Sequence, residues 1–120
     1  MIVGIHHVQL AMPAGEEDQA RLFYGGLLGI PEKVKPPHLE ARGGCWFESE
    51  VARIHLGVEE PFRPARKAHL ALLVRGLDRL VGSLASAGVR VVTDQPLPGF
   101  QRVYVDDPFG NRIGLLEPMP

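Results

Sequence analysis

Apolar and polar residues alternate along "GIHHVQLAM" (residues 4–12), with Val8, Leu10 and Met12 on one parity and His7, Gln9 and Ala11 on the other. A period of two with one apolar set predicts a half-buried strand. The period then lengthens. In "EEDQARLFYGGLLG" (16–29), Ala20, Phe23 and Leu27 recur at helical spacing, acids occupy the first turn, and Gly29 followed by Pro31 closes the run. That pattern predicts an amphipathic helix. Three short strands are predicted next, around 32–36, 41–48 and 51–59, separated by a "PPH" bend, a "GG" pair and a polar turn.

The pattern restarts at "AHLALLV" (68–74), where Leu70, Leu72 and Val74 alternate with His69, Ala71 and Leu73. "LDRLVGSLASAG" (77–88) predicts a second amphipathic helix closed by glycine, and strands follow near 89–93, 101–106 and 112–117. The last two are joined by the turn "DPFGN". The order is therefore β-α-β-β-β, twice. Laying one half over the other sets His7 on His69 and "RIHL" (53–56) on "RIGL" (112–115), with His55 exchanged for Gly114. A matching element order with matching letters predicts a duplicated unit, the first about 1–60 and the second about 61–120. Half a chain cannot easily bury its own sheet face, so the expected fold is α+β, with two such units forming curved mixed sheets around a cup and helices outside.

Bulk properties narrow the function classes. A chain of 120 residues with 45% hydrophobic and 22% charged residues makes one globular domain. Its 13 basic and 14 acidic side chains leave a net charge of −1, which gives no general attraction to nucleic acid or membrane surfaces. The longest apolar runs, such as "LALLV" (70–74), are too short to span a bilayer, and no signal-peptide layout opens the chain. A single cysteine, Cys45, cannot form an internal disulfide and fits a reducing cytoplasm.

"HHVQLAM", "ARLFYGGLLGIPE", "IHLGVEE", "AHLALLV" and "VDDPFGNRIGLLE" together resemble the vicinal oxygen chelate superfamily, which includes glyoxalase I, extradiol dioxygenases, fosfomycin-resistance transferases and bleomycin-binding proteins. The resemblance runs over essentially the whole chain and identifies the superfamily better than the reaction. It implies a homodimer and a small-molecule ligand held in the cup. It also implies metal ligands from the first and last strands of each unit, here His7, His55, His69 and Gly114. The family usually has glutamate at the last of these.

Read from the residues, His7, His55 and His69 each fall on the less apolar parity of their strand. Three neutral imidazoles can hold zinc, iron, nickel or manganese with positions open to substrate, or can simply give a cavity a polar lining. Glu117 has the parity of Ile113 and Leu115, so it is expected on the face opposite Gly114, which should leave extra room in the cup. Phe47, Arg102 and Tyr104 take plausible cup-facing positions, to contact substrate or to line the cavity. "FRPARK" (62–67) could form an anion-binding rim with Arg63, Arg66 and Lys67, although a solvated loop fits it better.

Two functions follow. One is a divalent-metal-dependent enzyme acting on a small anionic or oxygen-rich metabolite, as a lyase, isomerase, dioxygenase or thiol transferase. The other is a metal-free binding protein that sequesters a drug or metabolite. The three histidines favour the first and Gly114 the second.

Overall fold

In the computed structural model, which describes residues 1–120, strand β1 (Val8–Met12) runs parallel to β4 (Arg53–Val58). Strand β3 (Cys45–Glu48) pairs antiparallel with β4, and β2 (Glu32–Lys33) with β3, so the sheet order is β1-β4-β3-β2. A helix, α1 (Glu17–Ala20), runs directly into a π-helical segment (Arg21–Leu27) between β1 and β2. The second half repeats this plan. Strand β5 (Leu70–Leu73) is parallel to β8 (Arg112–Pro118), and β7 (Phe100–Asp106) and β6 (Val91–Val92) follow antiparallel, in the order β5-β8-β7-β6. Its helix is α3 (Leu77–Ser86). The two units comprise Met1–Pro64 and Ala65–Pro120.

The alternation read from the sequence decides which face of each sheet the helix covers. In the first unit Leu10, Met12, Cys45, Phe47, Ile54 and Leu56 are buried together with Ala20, Phe23 and Tyr24 of the helix. Tyr24 stacks on Phe47 with ring centroids 5.6 Å apart. Each of the buried Leu, Ile, Phe and Met side chains contributes roughly 1.5–3 kcal/mol when removed from water. In the second unit Leu77 and Leu84 of α3 and Val105, Ile113 and Leu115 of the sheet make the buried set.

Some elements differ from the sequence reading, each for a local reason. The strand expected from residue 4 begins at Val8, because its partner β4 starts at Arg53 and Val8 already pairs with Ile54. Upstream, Arg53 of β4 donates to the His6 carbonyl oxygen at 3.3 Å. The "PPH" bend is the start of a one-turn helix, α2 (Pro37–Glu40), with Pro37 in the first turn where a missing N–H costs nothing. Leu28 N–H bonds the Phe23 carbonyl at 2.9 Å, five residues back, which widens the helix end into its π form before Gly29 turns away at φ +73°.

The second unit bears out two expectations. Glu117 lies on the helix side, where its carboxylate accepts from Gly76 N–H at 2.7 Å and Leu77 N–H at 3.1 Å. It thereby caps α3, whose own N-cap residue is a glycine, and these bonds hold its carboxyl below the usual range. The "DPFGN" turn is closed by Asp107 and Asn111, both buried: Asp107 accepts from the N–H groups of Phe109 and Asn111 and from the Asn111 side-chain amide.

Candidate functional site

The polar face of the first sheet is set by register. Pairing of Trp46 with His55 and of Gln9 with His55 puts these three side chains in one row across β3, β4 and β1. His55 is 4% exposed although it lies on the polar face. It is covered from both sides: the Trp46 indole stacks on it at 4.2 Å and 8°, and the His7 ring at 4.2 Å and 16°. Its Nε2 makes a 2.7 Å hydrogen bond with Glu48 Oε2. With the proton on Nε2 for that bond, Nδ1 is left as an acceptor.

The electrostatics of the pair follow from this packing. Burial pushes the His55 pKa below its ordinary value and outweighs the raising effect of Glu48. Glu48 is itself held below the usual carboxylate range, first by the hydrogen bond from His55 and then by nearby Lys33 and Arg53. The ground state is neutral imidazole beside ionised carboxylate.

The structure thus brings His7 and His55 together, face to face. Lone pairs of stacked imidazoles lie in parallel planes and do not aim at a common point. No group of three or more His, Cys, Asp or Glu side chains is placed to hold a metal ion. As arranged, the stacked pair does not fit a chelate.

His69 belongs to the second unit. Its ring meets Tyr104 edge-on at 5.2 Å and 87°, and Nδ1–H donates to the Lys67 carbonyl at 2.9 Å, which leaves Nε2 as the acceptor. Tyr104 also lies beneath the guanidinium groups of Arg112, at 5.1 Å, and Arg102, at 5.7 Å. Arg102 is tied to the Gln95 carbonyl by two bonds, at 2.8 and 3.0 Å. Arg66, from the suspected anion rim, is engaged with Asp106 at 2.7 Å and the Gly110 carbonyl at 2.9 Å.

Two expectations need correction. Phe47 does not face the polar side: it pairs with Ile54 and is sealed against the helix, at 0% exposure. Its neighbour Trp46 holds the polar-face position instead. Gly114 pairs with Ala71 and Tyr104 as His55 pairs with Gln9 and Trp46, so the repeat equivalence holds in the register. It does not leave open room, however, because a Cβ there would lie 3.2 Å from the Ala71 Cβ. Glu48 and Trp46 were the residues missed as site members, though "CWFE" carries the alternation that places them on one face. Cys45 is a small buried hydrophobe, its thiol pushed up by burial to about 11.

Comparisons with known proteins bear on this site. The family model of the glyoxalase/bleomycin resistance protein/dioxygenase superfamily matches residues 4–115. A protein of known structure from Bacillus anthracis, assigned to the glyoxalase family, is 46% identical, with a TM-score of 0.93 over 99% of this chain and 98% of that one. A genomically encoded fosfomycin resistance protein from Listeria monocytogenes is 15% identical, with a TM-score of 0.79 over 99% of this chain and 96% of that one. An antibiotic binding protein from Streptomyces sp. CB03234 is 22% identical, with a TM-score of 0.72 over 99% of this chain and 100% of that one. The latter two share the fold. No curated protein matches the chain.

Proposed function

Since the chain belongs to the glyoxalase/bleomycin resistance protein/dioxygenase superfamily, we propose that it binds a small organic molecule on the polar face of its first sheet, as a holding protein and not through a metal. The observation that carries this reading is the Trp46–His55–His7 stack, which commits the imidazoles to each other and sets aromatic surface on the polar face of the sheet. Such surfaces contribute contact area at low conformational cost. The antibiotic-binding relative supports the same class of ligand. No helix is long and apolar enough to cross a membrane, and a cytoplasmic setting suits the unpaired Cys45 thiol.

A specific observation favours a second reading, a divalent-metal-dependent enzyme using His7, His55 and His69. Nε2 of His55 is bonded to a carboxylate and Nδ1 of His69 to a backbone carbonyl, the kind of outer partner that orients metal-bound histidines. In that reading His7 must turn off the stack. A homodimer is proposed with either, since within their units β1 pairs only with β4 and β5 only with β8, which leaves an unpaired edge on each.

Ligand-observed NMR on a small-molecule library, run on chelator-treated protein and repeated with Trp46→Ala, separates the readings. Hits that survive chelation and are lost with Trp46→Ala support binding without metal. Hits that appear only after zinc, iron, nickel or manganese is restored overturn it in favour of the enzyme.

A further inference from the structure

Beside the stack, the first unit contains a cavity of about 270 Å³. The sheet supplies Gln9, Trp46 and Gly57, and the segment around α2 supplies Lys35, Leu39 and Arg42. Two cations line it and no carboxylate does. For a chain of net charge −1 this is a local departure in sign.

The polar groups around the cavity are largely uncommitted. The Arg42 guanidinium and the Gln9 carboxamide have no hydrogen-bond or ion-pair partner in the protein, and Lys35 Nζ donates only to the Gly43 carbonyl. Gly57 keeps the place open for Gln9: a Cβ there would lie 2.6 Å from Gln9 Nε2. The side chains of Trp46 and Leu39 give the same cavity an apolar wall.

We propose that this cavity binds an organic anion, with Arg42 and Lys35 on its acid group and Trp46 against a flat apolar body. The inference rests on the small-molecule reading above and specifies its ligand class. Guanidinium presents a planar fork of N–H donors that matches carboxylate or phosphate oxygens, and a lysine ammonium adds a point charge. Gln9 can donate its amide to a remaining oxygen or accept from a hydroxyl. The attraction is strongest where water is partly excluded, as against the indole.

Trp46 is the chain's single tryptophan, so one indole N–H resonance reports on the cavity. That resonance is followed while 2-naphthoate, 2-naphthyl phosphate or neutral 2-naphthamide is titrated into the full chain. At least one anion should shift it with a Kd tenfold or more below that of the amide. Arg42→Gln should abolish that preference, Arg42→Lys should restore part of it, and Arg79→Gln, which removes the same charge from α3, should leave it intact. Arg42 is exposed and unpaired, so an unchanged melting temperature confirms that the variant is folded. Tighter binding of the phosphate than the carboxylate assigns the site to phosphate monoesters, and the reverse to carboxylates. Equal affinities for anions and amide, with Arg42→Gln unchanged, overturn the anion site while small-molecule binding stands. No shift with any of the three overturns the anion site too, and the library screen then judges the broader reading on its own.

Discussion

Gly44 is the position where the fold leaves least choice, and replacing it with alanine tests how β3 is held against β4. Its φ is +81°, and a Cβ there would lie 2.1 Å from the Leu56 carbonyl oxygen and 3.1 Å from the Leu56 carbonyl carbon. Two costs combine. The left-handed backbone disfavours an L side chain by about 1–2 kcal/mol. Forcing a methyl into backbone that cannot yield adds the cost of overpacking, about 1–3 kcal/mol. Gly88 separates them, since its φ is +83° but nothing lies within 4 Å of its Cβ. Gly88→Ala should therefore cost about 1–2 kcal/mol and Gly44→Ala about 2–5 kcal/mol, a large share of a small domain's roughly 5–15 kcal/mol. Urea unfolding followed by far-ultraviolet circular dichroism, with the m-value unchanged, gives both numbers. If Gly44→Ala costs no more than Gly88→Ala, the close approach to Leu56 is not a constraint and the reasoning fails.

Three further outcomes are expected. His55 and Glu48 both have pKa values lowered on folding, from ordinary values of 6.5 and 4.5, so the unfolded chain binds more protons and stability rises with pH. The His55 part is lost as pH drops below 6.5 and the Glu48 part below 4.5; urea midpoints should decline from pH 7.5 to 5.5, and His55→Gln should flatten that decline. Gly114→Glu must displace Ala71, at a cost of about 1–3 kcal/mol; if the metal reading is right, calorimetry should nevertheless find tighter divalent-metal binding, and His55→Ala weaker binding. Light scattering at micromolar concentration should give twice the 13.2 kDa chain mass, and a monomer there would refute the proposed dimer.

The duplicated plan was legible because strand alternation and helical spacing are properties of consecutive residues. Parity alone put His55 opposite Ile54 and Glu117 opposite Gly114, and both held. Position across a sheet is different, because it depends on register and register depends on turns. Phe47 and Trp46 are adjacent, and only the pairing of Phe47 with Ile54 decides which of them meets the histidine. Glu48 escaped notice for the same reason, since its partner is seven residues away across a hairpin. The proline-rich stretch before Leu39 read as a bend because one turn of helix leaves no periodicity to detect. Of that turn Leu39 lines the proposed anion cavity, with Lys35 before it and Arg42 after it.

The placement of Trp46 gives the protein an optical property. An indole face to face with an imidazole at 4.2 Å is within electron-transfer distance, and a protonated imidazole accepts an electron from excited indole where a neutral one does not. With no second tryptophan to mask it, emission should dim as His55 takes up a proton and brighten as it loses one. The folded chain therefore carries its own indicator of the charge on a histidine that solvent hardly reaches.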